Sequence, residues 1–227
     1  MKKTLLALGA SALLALPGPL AAQGFGVAGR VGTLGIGVEG ALGLADRVVL
    51  RGGIGLMPLE LDATNFWDPG QDVNAKVKLP GTWYNIGADL YLGGSFRVGA
   101  GMLYKPDNPT LTGTLAQGAT IEIGGQEYTS ADLSKVSGAL DSGKSAPYLL
   151  VGFGKHTSTG IGLFVDLGVA FLGDPNITLA AEGNSEVINT PEFQQRLREE
   201  EQNIESDVGA YLKYWPILDI GVRFGIG

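Results

Sequence analysis

The chain has 227 residues, among them 37 glycines and no cysteine, with 16 basic against 23 acidic side chains. The acidic balance excludes a nucleic-acid binder, which needs basic groups against phosphate, and the missing cysteines exclude disulfides and thiolate metal sites. A hydrophobic fraction of 44% without one mature apolar run of about 18 residues excludes a disordered glycine-rich linker and a helical membrane protein alike.

The chain opens on Met1-Lys2-Lys3, an apolar run from Leu5 to Leu16, and Pro17-Gly18-Pro19-Leu20-Ala21-Ala22. That order is a secretory signal peptide, and a dozen apolar residues fall short of the roughly 20 a spanning helix needs. Cleavage is expected after Ala22. The remaining domain, 23–227, sets 14 basic against 23 acidic residues, a net charge of −9.

From there apolar residues alternate with glycine and polar ones, the pattern of strands with one greasy face. A first strand is expected at Phe25 to Val31, with a tight turn at Gly32-Thr33. Leu34, Ile36, Val38 and Leu42 then alternate with Gly35, Gly37, Glu39 and Ala41. After Ala45-Asp46 the pattern resumes with Val48, Leu50, Ile54 and Leu56 against Val49, Arg51, Gly53 and Gly55. A second hairpin joins Tyr84, Ile86, Ala88, Leu90 and Leu92 to Phe96, Val98, Ala100 and Met102 across Gly93-Gly94-Ser95. A third joins Leu149, Val151 and Phe153 to the run Ile161, Leu163, Val165, Leu167, Val169 and Phe171, and the last strand carries Leu218, Ile220, Val222 and Phe224. The expected fold is all-β: an antiparallel up-and-down transmembrane barrel of about eight strands, with one short helix in a long loop.

The connections are short after Leu44, Leu92 and Lys155 and long over about 58–77, 106–144 and 173–209, which places the short set in the periplasm. Within the long set, Thr120 to Ile123 and Gln126 to Thr129 flank Gly124-Gly125 and read as a hairpin. Thr190-Pro191 reads as a helix start, and Phe193, Leu197, Ile204 and Val208 share one face of a helix to about 207. Its polar face, with Arg196, Arg198, Glu199, Glu200 and Glu201, is expected to be solvated. Asp68 and Asp72 sit in a turn without the spacing of a calcium loop. Trp67, Trp83, Tyr84, Tyr104, Tyr148, Tyr211, Tyr214 and Trp215 are expected to form a girdle at headgroup depth.

The segments GTLGIGVEGALGLADRVVLRGG from Gly32 to Gly53, PYLLVGFG from Pro147 to Gly154 and GVRF from Gly221 to Phe224 resemble small Gram-negative outer-membrane barrels of the OmpA, OmpX and OmpW kind. The resemblance implies location in the cell outer membrane, contact with its lipid, and periplasmic chaperones and barrel-insertion machinery as partners during biogenesis. Relatives of this architecture include anchors, adhesion proteins, small channels and lipid-modifying enzymes, so the likeness speaks to architecture and not to activity. One departure is that Phe224 is followed by Gly225-Ile226-Gly227, where such barrels usually finish on an aromatic residue.

If the apolar set meets lipid, then Glu39, Arg51, Asp89, Arg97, Asp166, Asp219 and Arg223 face the bore. A bore of eight strands is only wide enough for its own side chains, so this cluster is expected to plug it, while the glycines among them leave room for water. The alternative is a small channel for apolar or small polar solutes. A lipid-modifying hydrolase would need a serine, a histidine and an acid in contact. The single histidine, His156, lies in a short turn and is expected to be exposed. The reading is a non-enzymatic monomer with a structural or surface-interaction role, without cofactor, metal or nucleic acid.

Overall fold

The structure, a computed structural model, describes residues 24–62 and 72–226, with the backbone alone over 207–212. The expected signal peptide, Trp67 and Asp68 lie outside the described residues. Strands β1 (Phe25–Gly32), β2 (Gly35–Ala45) and β3 (Val48–Leu56) lead to the short β4 (Glu60–Asp62) and β5 (Val73–Lys78). Next come β6 (Thr82–Gly93), β7 (Phe96–Tyr104), β8 (Thr110–Leu115), the hairpin β9 (Thr120–Ile123) and β10 (Gln126–Thr129), β11 (Leu133–Asp141), β12 (Ser145–Phe153), β13 (Gly160–Phe171) and β14 (Asn176–Gly183). Helices α1 (Ser185–Ile188) and α2 (Pro191–Leu212) precede β15 (Tyr214–Ile226).

Eight of these strands close an antiparallel barrel in the order β1-β15-β13-β12-β7-β6-β3-β2. Closure runs in unbroken register from Phe25 opposite Ile226 to Gly32 opposite Asp219. The expected first strand is present, with its turn at Thr33-Leu34. Successive side chains of a strand face opposite ways, and here the outward set is apolar: Ile36 is 71% exposed, Phe153 65%, Ile161 78% and Leu163 68%. The inward set holds the charges. A wall of this kind is stable in hydrocarbon, and closure leaves no backbone edge unpaired there. Among the described residues no helix is long and apolar enough to cross a membrane. Leu34, grouped by its alternation with the outward residues, is instead buried, because the β1–β2 turn folds it over the barrel mouth.

Above the mouth the three long connections build more than the expected ribbon. The β9–β10 hairpin is there, but β14-β11-β8-β5-β4 also pair into a five-stranded antiparallel sheet drawn from all three connections. Helix α2 starts as its sequence indicates: Thr190 Oγ1 accepts from the Phe193 N–H at 3.2 Å. It runs five residues past the expected end. Phe193 and Leu197 are buried against Ile121, Ile123, Leu133, Ile177 and Leu179, which fixes the helix to the sheet.

The polar face of α2 is not simply solvated. Glu201 and Glu205 accept from the backbone N–H groups of Leu179 and Ile177 at 2.7 and 2.8 Å. β14 is an edge strand, so these carboxylates cover donors that would otherwise invite another strand. Arg196 Nη1 donates to Gly124 O at 2.8 Å and Glu200 accepts from Gly124 N at 3.1 Å, clamping the hairpin turn. Arg198 and Glu199 face solvent, as expected.

Candidate functional site: the inward charge network

The inward carboxylates and guanidiniums form one connected cage. Arg51 Nη1 lies 3.1 Å from Glu39 Oε1 and 2.9 Å from Asp166 Oδ2, and its Nε lies 2.9 Å from Asp89 Oδ2. Arg97 grips the same two aspartates from the other side, Nη1 to Asp89 Oδ2 at 2.8 Å and Nη2 to Asp166 Oδ1 at 2.5 Å. The chain of contacts continues through Asn85, whose Nδ2 donates to Glu39 Oε2 at 3.3 Å. Asn85 Oδ1 accepts from Arg30 Nη2 at 2.9 Å, and Arg30 Nη1 reaches Asp219 Oδ2 at 2.6 Å. Seven of the eight barrel strands supply a member, and all members are buried.

The eighth strand, β12, contributes space. A Cβ on Gly152 would lie 2.4 Å from Asp166 Oδ1 and 2.6 Å from Arg97 Cζ. Gly99 makes the same allowance beside Asp89, where a Cβ would come within 2.3 Å of Oδ1. Gly152 and Gly99 are therefore sockets for neighbouring side chains. The space left among Arg30, Glu39, Arg51, Asn85, Asp166 and Asp219 is about 10 Å³, room for about one water. Desolvation offsets much of the attraction among such charges, so the cage adds little net stability for the number of contacts it makes.

Toward the outer side the bore fills with apolar side chains. Leu34, Trp83, Leu103, Tyr148, Leu150 and Ile217 form one buried cluster, and Trp83 stacks on Trp215 with ring centroids 5.0 Å apart. Three members of the expected girdle, Trp83, Tyr148 and Trp215, thus point inward. Tyr84, Tyr104 and Tyr214 do lie on the outer wall, 43–53% exposed. The side chain of Tyr211 lies outside the described residues.

Of the seven expected lumen residues, six join the cage. Arg223 does not: it lies nearer the periplasmic end, where Nη1 donates to the carbonyls of Ser158 and Gly160 and holds the β12–β13 turn. Arg30 was missed, although it alternates with the outward Val31 and so has the inward phase.

His156 corrects the expectation of an exposed turn residue. The turn folds into the barrel end, leaving His156 1% exposed. Its Nε2 lies 3.3 Å from both Arg51 Nη1 and Glu39 Oε1, and the ring sits 4.6 Å from that of Phe164. Tyr91 Oη lies 3.4 Å from Nδ1 and accepts from the His156 backbone N–H at 3.0 Å. A histidine so placed closes the periplasmic end of the cage. Among the described residues no group of three or more histidines, aspartates or glutamates is arranged to hold a metal.

No family model matches the chain, and no curated protein matches it. Among solved structures, CarO2 of Acinetobacter baumannii superposes with a TM-score of 0.62 at 21% identity, covering 91% of this chain and 100% of that one. CarO of the same organism superposes with a TM-score of 0.58 at 19% identity, covering 91% and 99%. At these identities the likeness is one of fold. With its apolar wall, polar interior and closed ring of eight antiparallel strands, the chain is an integral β-barrel of the outer-membrane type.

Proposed function

We propose that this protein is a non-conducting, non-enzymatic barrel of the outer membrane with a structural or surface-interaction role, recognition being done by the outer sheet and α2. The observation that supports the reading is the packing inside the barrel, an ionic cage below and an apolar cluster above. Permeation would require three guanidiniums and four carboxylates to part in a low-dielectric enclosure, at a cost of several kcal/mol per separated ion. His156 supports the non-enzymatic side, since its side-chain partners among the described residues are Arg51, Tyr91 and Glu39, with no serine among them to form a Ser-His-acid triad. On this reading the protein is a monomer that contacts lipid through its wall and meets periplasmic chaperones and insertion machinery only during biogenesis. The test is conductance across a planar bilayer with the purified mature chain: no stable single-channel steps are expected. Reproducible steps of one size, lost when the chain is heat-unfolded, would replace the reading with the channel.

A further inference from the structure

A cavity of about 450 Å³ lies where the barrel mouth, the five-stranded sheet and α2 meet, within the range of about 300–1,000 Å³ typical of small-ligand sites. Its wall is almost wholly apolar: Leu79 from the loop before β6, Leu111, Leu140, Leu179 and Ile204 among others. Thr110, Tyr214 and Pro216 on its rim are exposed, and Tyr214 and Pro216 stand on the outer wall of β15, so the cavity opens at the level where the barrel leaves hydrocarbon.

Among the buried residues of this wall two carry polar side-chain groups, and both are donors. Lys105, next after β7, lines the cavity and is 2% exposed. Its Nζ donates to Asn108 Oδ1 at 2.6 Å, leaving further ammonium donors. Asp107 and Asp141 contribute to the field around it, but neither reaches ion-pair distance among the described residues. Burial pushes the ammonium below the usual lysine range, the mark of a charge short of compensation. Trp83, fully buried on the cavity wall, has an Nε1–H without a partner. A buried donor left unpaired costs about 1–3 kcal/mol; Trp83 Nε1 is such a donor, and the Lys105 ammonium, hydrogen-bonded to Asn108, lies on the same greasy space.

We infer that this cavity binds a single-chain carboxylate amphiphile of the fatty-acid class, its chain among the leucines and its carboxylate on Lys105. The chemistry of the wall selects against cationic and neutral amphiphiles: the former would place like charge beside Lys105, and the latter would leave its charge uncompensated. The rim position lets such a molecule enter from the outer leaflet without crossing the bore, so the inference holds whether or not the bore conducts.

The test uses the full mature chain in phosphatidylcholine nanodiscs, with Trp67→Phe so that the emission comes from Trp83 and Trp215, both on the cavity wall. The probe is 11-bromoundecanoate, whose bromine quenches tryptophan on contact; its methyl ester and 11-bromoundecyltrimethylammonium are the comparisons. Saturable quenching by the carboxylate is expected, about tenfold weaker for the ester and the cation and in Lys105→Met, and retained in Lys105→Arg, as loss of a charge-assisted hydrogen bond implies. Ala139→Phe, a substitution at the exposed rim, should block all saturable quenching while leaving the folded gel band unchanged. It decides the matter if Lys105→Met does not fold. Quenching that rises linearly, or that is alike for the three probes, is partition into lipid and overturns the inference.

Discussion

Replacing Arg51 by methionine removes the hub of the cage while roughly conserving side-chain volume. Three carboxylates lose a partner at once, Glu39, Asp89 and Asp166 at 2.9–3.1 Å. Arg97 still holds the two aspartates at 2.8 and 2.5 Å. Glu39 keeps only the 3.3 Å contacts to Asn85 and His156. The uncompensated group is therefore chiefly Glu39, and the expected loss is that of one broken buried pair, about 3–5 kcal/mol, rather than three times as much. Adding Glu39→Gln to Arg51→Met removes the stranded charge, so the double variant should be more stable than the sum of the single losses by about 1–3 kcal/mol. Urea unfolding of the chain in phospholipid vesicles, followed by tryptophan emission, reads both quantities. An Arg51→Met midpoint equal to the parent's, or strict additivity in the double variant, would refute the view of the cage as one coupled unit.

Gly152→Ala should cost about 1–3 kcal/mol by overpacking, because its Cβ would collide with Arg97 and Asp166; Gly40→Ala, whose Cβ meets nothing within 4 Å, should stay within about 0.5 kcal/mol of the parent. The same unfolding assay separates them, and equal effects would count against glycines as sockets. Glu201→Ala with Glu205→Ala should uncover the edge of β14 and speed amide exchange at Ile177 and Leu179, read by hydrogen-exchange mass spectrometry. Glutamine at both positions keeps an acceptor and should restore most of the protection, whereas unchanged exchange in the alanine variant would show that α2 does not guard that edge.

The barrel was legible because hydrocarbon on one side and a narrow bore on the other leave each strand residue only two environments, and a period of two assigns them. The same parity carried more than was read from it. Trp83 shares the phase of Asn85 and Asp89, and Tyr148 that of Leu150, so both were marked as inward by alternation; their aromatic character near strand ends argued the other way and lost. His156 was not legible, since nothing local tells a turn that caps a bore from one that hangs in water. Nor was the outer sheet. Segments such as Thr110–Leu115 and Asn176–Gly183 find partners in other connections, Val73–Lys78 and Leu133–Asp141 respectively, and local pattern does not announce such distant pairing. The cavity at the barrel mouth follows from that sheet and was invisible for the same reason.

The barrel has an inverted wall, with lipid against one face of every barrel strand and protein packed behind it. Because the chain has no cysteine, single nitroxide labels can be placed at Ile161, Leu163, Val165 and Leu167 on β13 and at Leu218, Ile220 and Val222 on β15. Collision rates in reconstituted vesicles should be high with oxygen and low with a water-soluble nickel chelate at all seven positions, with oxygen access greatest near the middle of each strand. Labels on either strand that collide freely with nickel, or that oxygen cannot reach because protein covers them, would contradict the membrane-spanning barrel itself.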